Sequence, residues 1–183
     1  VGGECVAGVA QRMVDTGTTL RMLATVIASV NALTSIFAYT QPNNTAGGNA
    51  TSGARRTYPL NTTILNEIGG ASLNTTGPDI NKMVLPAGTY EVDAAACFFV
   101  TAATRLFLFD DTAAADISSA VSAQSQAENP GNPSLVGKFS LTVTSTISFQ
   151  YRVLTTRNTD GLGRAGSMSE TQQFGYVRFK KVA

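Results

Sequence analysis

Gly161-Leu162-Gly163-Arg164-Ala165-Gly166 matches the G-x-G-x-x-G spacing whose glycines let a backbone approach a pyrophosphate. That chemistry needs a strand before the glycines and a helix opening on them. Here Ser167 to Phe174 leads into Tyr176-Val177-Arg178-Phe179, which is strand sequence. The stretch Asn158 to Ser167 is therefore predicted to be a mobile loop between two strands. Asp110, Asp111 and Asp116 are the one local group of carboxylates. Calcium accepts such oxygen ligands, and an Asp-rich turn closing a strand uses the same residues. No other acid–base group lies near them in sequence to complete a catalytic pair.

The chain has no histidine, which removes Ser-His-Asp and Cys-His nucleophiles and every His-containing zinc site. Cys5 and Cys97 lie far apart and read as two free buried thiols rather than a disulfide. Asn43, Asn49, Asn61 and Asn74 each begin an N-x-Ser/Thr sequon, which a chain so rich in Asn and Thr produces by composition. No catalytic residue, metal or cofactor is expected. The chemistry legible here is that of assembly.

Composition agrees with that. Only 14% of the 183 residues are charged, against roughly 25% in an average globular protein. Thr, Ser, Asn, Ala and Gly fill the gap, which suits strands and tight turns in a rigid assembly. The net charge of +1 comes with no block of Lys or Arg, so no nucleic-acid partner is expected.

Two regions must position whatever function exists. In residues 1–35 apolar positions recur at helical spacing. Leu20, Leu23, Ile27 and Val30 step by three and four, the seam of a coiled coil. Met22, Val26, Leu33 and Ile36 widen the stripe, which favours three or more helices. Thr16-Gly17-Thr18-Thr19 interrupts the pattern and Asp15 can cap the second helix. Met22 to Tyr39 carries no charge, but Thr25, Ser29, Asn31, Thr34 and Ser35 interrupt it, so no membrane span is expected. The prediction is a helical trimerisation stem over 1–35.

From residue 36 onward the sequence reads as all-β. Ten strands are predicted: Ile36–Gln41, Ala54–Pro59, Thr63–Asn66, Ile80–Leu85, Thr89–Val100, Arg105–Phe109, Ile117–Val121, Leu135–Val143, Ile147–Thr155 and Gln172–Lys180. The loop Thr40 to Gly53 reads as small polar residues with nothing to bury. A tight turn at Thr144–Thr146 joins two cleanly alternating strands. The strand from Thr89 ends in Cys97-Phe98-Phe99-Val100, apolar on both faces. Such a strand needs a second cover, and Phe98 and Phe99 are predicted to supply a trimer interface in the head.

The segments Arg56–Asn61, Ile64–Ile68, Ala71–Leu73, Met83-Val84-Leu85-Pro86-Ala87-Gly88-Thr89-Tyr90-Glu91-Val92, Arg105–Asp110, Gly137–Val143 and Phe174–Lys181 carry a resemblance. Residues 36–183 resemble the C1q/TNF-like jelly roll in the version found in bacteriophage virion proteins. The resemblance implies a ten-stranded antiparallel sandwich packed as a compact homotrimer, non-enzymatic, at the virion surface. The stem would join other virion proteins. The loop bearing Asn158, Asp160 and Arg164 would face a host-surface glycan. A fibre or spike is the role expected first, and a capsid decoration protein stabilising or ornamenting the shell is the alternative.

Overall fold

β-branched and aromatic residues alternating with small polar ones give strands along the whole described chain. The computed structural model describes residues 9–15, 20–26, 32–119, 122–125 and 130–182. They fall into two compact units, Val1–Asn31 and Ala32–Ala183.

In the first unit β1 (Val9–Asp15) and β2 (Leu20–Val26) pair antiparallel, Val9 opposite Val26 and Asp15 opposite Leu20. This corrects the helical stem over those residues. Leu20 and Leu23 lie on a strand and not on a coiled-coil seam, while Ile27 and Val30 lie outside the described residues. The reason is that a short window fits both periods. Leu20, Met22, Ala24 and Val26 are also apolar at period two, and Thr16-Gly17-Thr18-Thr19 is turn sequence between two such runs.

The second unit holds β3 (Thr34–Gln41), β4 (Arg56–Thr57), β5 (Thr62–Asn66), β6 (Ser72–Leu73), β7 (Met83–Leu85) and β8 (Gly88–Ala96). It continues with β9 (Ala102–Asp110), β10 (Ala115–Ser119), β11 (Ala123–Ser125), β12 (Ser134–Leu141), β13 (Ser145–Val153) and β14 (Gln172–Lys181). Five strands form one antiparallel sheet in the order β12-β8-β14-β3-β5. The other sheet runs β10-β9-β13-β7-β6, with β11 on β9 and β4 on β13. The short strands β6 and β11 were not legible in the sequence. The expected turn between β12 and β13 is real, but the two strands do not pair. β12 pairs with β8 and β13 with β9, so the turn crosses from one sheet to the other. Pro86-Ala87 makes the same crossing between β7 and β8.

The core lies between the sheets. Phe37, Tyr90, Val92, Val177 and Phe179 from the five-stranded sheet and Leu106, Leu108, Ile147, Phe149 and Tyr151 from the other are all buried. Tyr58 sits at its centre with no exposed surface. Its ring meets Tyr39 at 5.7 Å, Phe149 at 5.5 Å, Phe98 at 6.0 Å and Tyr151 at 6.1 Å between centroids. These contacts are edge-on, the arrangement ring quadrupoles favour. Its hydroxyl donates to the Phe174 carbonyl at 2.9 Å, so the buried oxygen is satisfied.

Among the described residues no helix is long and apolar enough to cross a membrane.

Candidate assembly surface

Of the residues singled out from sequence in the second unit, Phe99 and Arg164 come together, and Phe98 does not reach the surface. Phe98 is fully buried, 0% exposed, against Tyr58 and Tyr151 of its own chain. Its ring is consumed by the core, which corrects its assignment to an interface between subunits. The regular strand ends at Ala96, and Phe98 makes an isolated bridge to Gly131.

 Backbone φ is 53° at Val100 and 57° at Ala102. Both lie in the left-handed region, so strict two-residue alternation fails past Cys97. Phe99, 9% exposed, lies under the segment 157–164: its N–H donates to the Gly161 carbonyl at 3.1 Å. Arg157 and Arg164 stand 5.7 and 5.5 Å from its ring centroid. The second cover for this strand end is the chain's own loop.

That loop is also not the free segment the glycines suggested. Arg157 and Ala50 exchange backbone hydrogen bonds at 2.9 Å, and Gly47 N–H donates to the Gly163 carbonyl at 2.9 Å. Gly161, Leu162 and Gly163 are buried. A Cβ on Gly161 would lie 2.7 Å from the Ala50 Cβ, so the glycine spacing serves close backbone packing between two loops. Asn158 and Arg164 are exposed at this surface, and Asp160 is half-buried. Asp160 accepts from Arg157 Nε at 2.6 Å, and this hydrogen bond holds its carboxyl below the usual range.

The three aspartates after β9 each have a separate task. Asp110 caps the turn by accepting from the Thr112 and Ala113 N–H groups at 2.9 and 3.0 Å. Asp111 pairs with Lys82 at 2.9 Å, and Asp116 takes both arms of Arg55. Among the described residues no three metal-ligating side chains converge. Cys97 is half-buried, and burial pushes its thiol up, away from the reactive thiolate. Cys5 lies outside the described residues.

The surface that stands out was not among the predicted residues. It is the outward face of the five-stranded sheet. Strand register aligns Leu65, Ile36, Arg178, Asp93 and Val136 in one row across β5, β3, β14, β8 and β12. Arg178 donates to Asp93 at 2.9 Å, and the Tyr176 hydroxyl donates to the same carboxylate at 3.2 Å. The next row pairs Lys180 with Glu91 at 3.4 Å. Burial, then the Asp93 charge, raises the Tyr176 phenol. Charges in the middle of the face are thus matched within the sheet, and its flanks are apolar. Val136 is 75% exposed at one edge and Leu65 38% at the other. A concavity of about 620 Å³ runs along this row. The face thus leaves apolar surface open at its two edges and pairs its central charges internally.

Two antiparallel sheets packed face to face, with successive strands crossing between them, define a jelly-roll sandwich. Solved structures share it. The crystal structure of murine APRIL at pH 5.0 is 13% identical, covers 83% of this chain and 100% of that one, and superposes with a TM-score of 0.54. Murine APRIL at pH 8.0 is 10% identical over 83% of this chain and 100% of that one, with a TM-score of 0.51. The TNF protein Eiger from S. frugiperda is 11% identical over 84% and 94%, with a TM-score of 0.48. At such identities the likeness to APRIL concerns the fold, a TNF-like jelly roll. No protein-family model matches the sequence, and no curated protein matches it.

Proposed function

We propose that this chain is a non-enzymatic structural protein that works as a homotrimer on the surface of a bacteriophage particle, as a fibre or spike. The observation that carries the trimer is the outward face of the five-stranded sheet. Its apolar residues sit at opposite edges, Val136 on β12 and Leu65 on β5. A contact that joins one edge to the different edge of the next copy is heterologous, and such contacts close into a three-membered ring when each copy turns by a third of a circle. The phage setting is supported by the resemblance of residues 36–183 to virion jelly rolls. In this reading residues 1–35 join other virion proteins. The exposed residues Asn158 and Arg164, with Asp160 between them, face a host-surface glycan.

Light scattering of the purified chain is expected to give three times 19.1 kDa. Val136→Glu tests the face directly, because this residue is 75% exposed in one chain and its replacement leaves the protomer's core alone. Burying a carboxylate at each of three contacts costs several kcal/mol per ion, so the variant should sediment as a folded monomer. A wild-type monomer at micromolar concentration, or a V136E trimer as tight as wild type, would sink the assembly reading. The setting is tested by locating the chain in intact particles with a labelled antibody. Signal at projections supports the fibre or spike, signal spread over the shell supports decoration, and no signal removes the virion reading.

A further inference from the structure

The two edges of the five-stranded sheet carry the same pattern with opposite charge. Along β12 the outward residues Val136 and Lys138 stand two positions apart, and both are exposed. At the other edge Leu65 and Glu67 stand two positions apart on the end of β5, and both are exposed. Four antiparallel pairings separate β12 from β5, so the two edge strands run in the same direction. Val136 and Leu65 end one row of the face. The next row runs from Lys138 through Glu91, Lys180 and Thr34 to Glu67, which lies one residue past the paired Asn66. Within that row Lys180 reaches Glu91 at 3.4 Å. The Glu67 carboxylate accepts from the Thr34 N–H at 3.1 Å, which holds it at its edge. Each edge therefore offers an apolar residue followed by a charge, cationic on β12 and anionic on β5.

We infer that Lys138 of one copy pairs with Glu67 of the next, beside a contact between Val136 and Leu65, and that this pair sets the direction of the ring. The inference rests on the trimer proposed above and names the contact that closes it. An isologous contact through either edge would set Lys138 against Lys138 or Glu67 against Glu67, and juxtaposed like charges oppose association. Joining unlike edges removes that repulsion. Because β12 and β5 run the same way and both patterns step by two, one alignment brings the apolar row and the charged row together at once. The Lys138 ammonium then donates to the Glu67 carboxylate across the seam. Attraction at the unlike edges and repulsion at the like ones act together to choose the partner. The partner this surface fits is a second copy of the same chain, presented by its other edge.

Sedimentation equilibrium of the full chain tests it, with Lys138→Glu, Glu67→Lys and the double exchange compared at low salt. An exposed ion pair is worth about 1.5- to 5-fold in an equilibrium constant. Each single exchange replaces attraction by repulsion at every contact of the ring, so the trimer dissociation constant should rise at least about tenfold. The double exchange restores an unlike pair and should return it to within about threefold of wild type. Lys138→Gln removes the charge without adding repulsion and should weaken assembly less than Lys138→Glu. Salt at about 1 M, where screening acts over about 3 Å, should narrow the gap between the single exchanges and wild type. Both side chains are exposed, so circular dichroism should show a folded protomer in every variant. Single exchanges that assemble as tightly as wild type would overturn the pairing, and so would a double exchange as weak as the singles. In those cases a wild-type trimer leaves the threefold reading standing. A wild-type monomer, or a particle of two chains, removes both.

Discussion

Gly163→Ala tests whether the glycine-rich segment is structural. Gly163 has φ +128°, a conformation L side chains rarely adopt, and an added Cβ would lie 2.1 Å from Phe174 Cδ1 and 2.6 Å from Cε1. Phe174 cannot swing clear cheaply, since it is 6% exposed and its ring packs 6.0 Å from Tyr39. Backbone strain of this kind costs about 1–3 kcal/mol, and overpacking a filled site costs about 1–3 kcal/mol more. Loosening the hydrogen bond from Gly47 to the Gly163 carbonyl adds about 1 kcal/mol. The sum is roughly 3–7 kcal/mol, and a domain of this size loses about 2–4 °C of Tm per kcal/mol. The midpoint of thermal melts followed by circular dichroism should therefore fall by about 6 °C or more on that scale. Gly166→Ala is the control, because its Cβ would meet nothing nearer than Gln172 Oε1 at 3.9 Å. If Gly163→Ala melts within about 2 °C of wild type, like the control, the segment yields freely and the packing argument fails.

Phe98→Ala should cost the protomer about 3–5 kcal/mol, the usual range for emptying a buried phenylalanine site, and shift the urea midpoint accordingly. A variant with unchanged protomer stability but weakened self-association would instead return Phe98 to an interface. Stability should also fall as pH rises above about 10, where tyrosines of the unfolded chain ionise. Burial raises the Tyr58 phenol well above its ordinary value. The folded state then resists losing that proton, and its advantage, full below pH 10, erodes until the folded phenol itself ionises. Denaturant titrations from pH 8 to 11.5 should show a shallower alkaline loss in Tyr58→Phe, and equal slopes would contradict the linkage.

The strands were legible because alternation is a local property. Of the alternating set Leu141, Val143, Ile147, Phe149, Tyr151 and Val153, all are buried except Val143, which is 57% exposed beyond the end of β12. Alternation does not say which sheet a strand joins, which is why β12 and β13 read as neighbours. The loops were misread for a related reason. Residues 42–53 and 156–166 each lack apolar bulk, but they satisfy one another's backbones, as Ala50 and Arg157 do across more than a hundred positions. Composition within either segment cannot show a partner that distant. At the N-terminus, seven-residue runs satisfied helical and strand periods together, and the wider apolar stripe favoured the helix. The outward face of the five-stranded sheet left one usable trace. In β12, buried Leu135 fixes the phase, and that phase turns Val136 outward.

A doubly apolar strand does not by itself demand a second subunit. β9 runs Leu106-Phe107-Leu108-Phe109, with Leu106 and Leu108 in the core and Phe107 on the opposite face. Phe107 is nevertheless only 5% exposed, because Arg55, anchored by Asp116, lies across its ring. Phe99 is sheltered in the same way, beneath Arg157 and Arg164. In both places the chain covers its own aromatic with the stem and plane of an arginine, which loses little hydration by lying there. The outward face of the five-stranded sheet has no such cover over Val136 or Leu65, and Arg178 in that row and Lys180 in the next stand two strands from each. Those two cations are turned into the sheet toward Asp93 and Glu91 instead. An arginine lies on the ring at Phe107 and at Phe99, whereas Leu154, just past the end of β13, stays 70% exposed. Where Arg178 pairs within the sheet and leaves Val136 and Leu65 open, the proposed assembly is what would supply the cover.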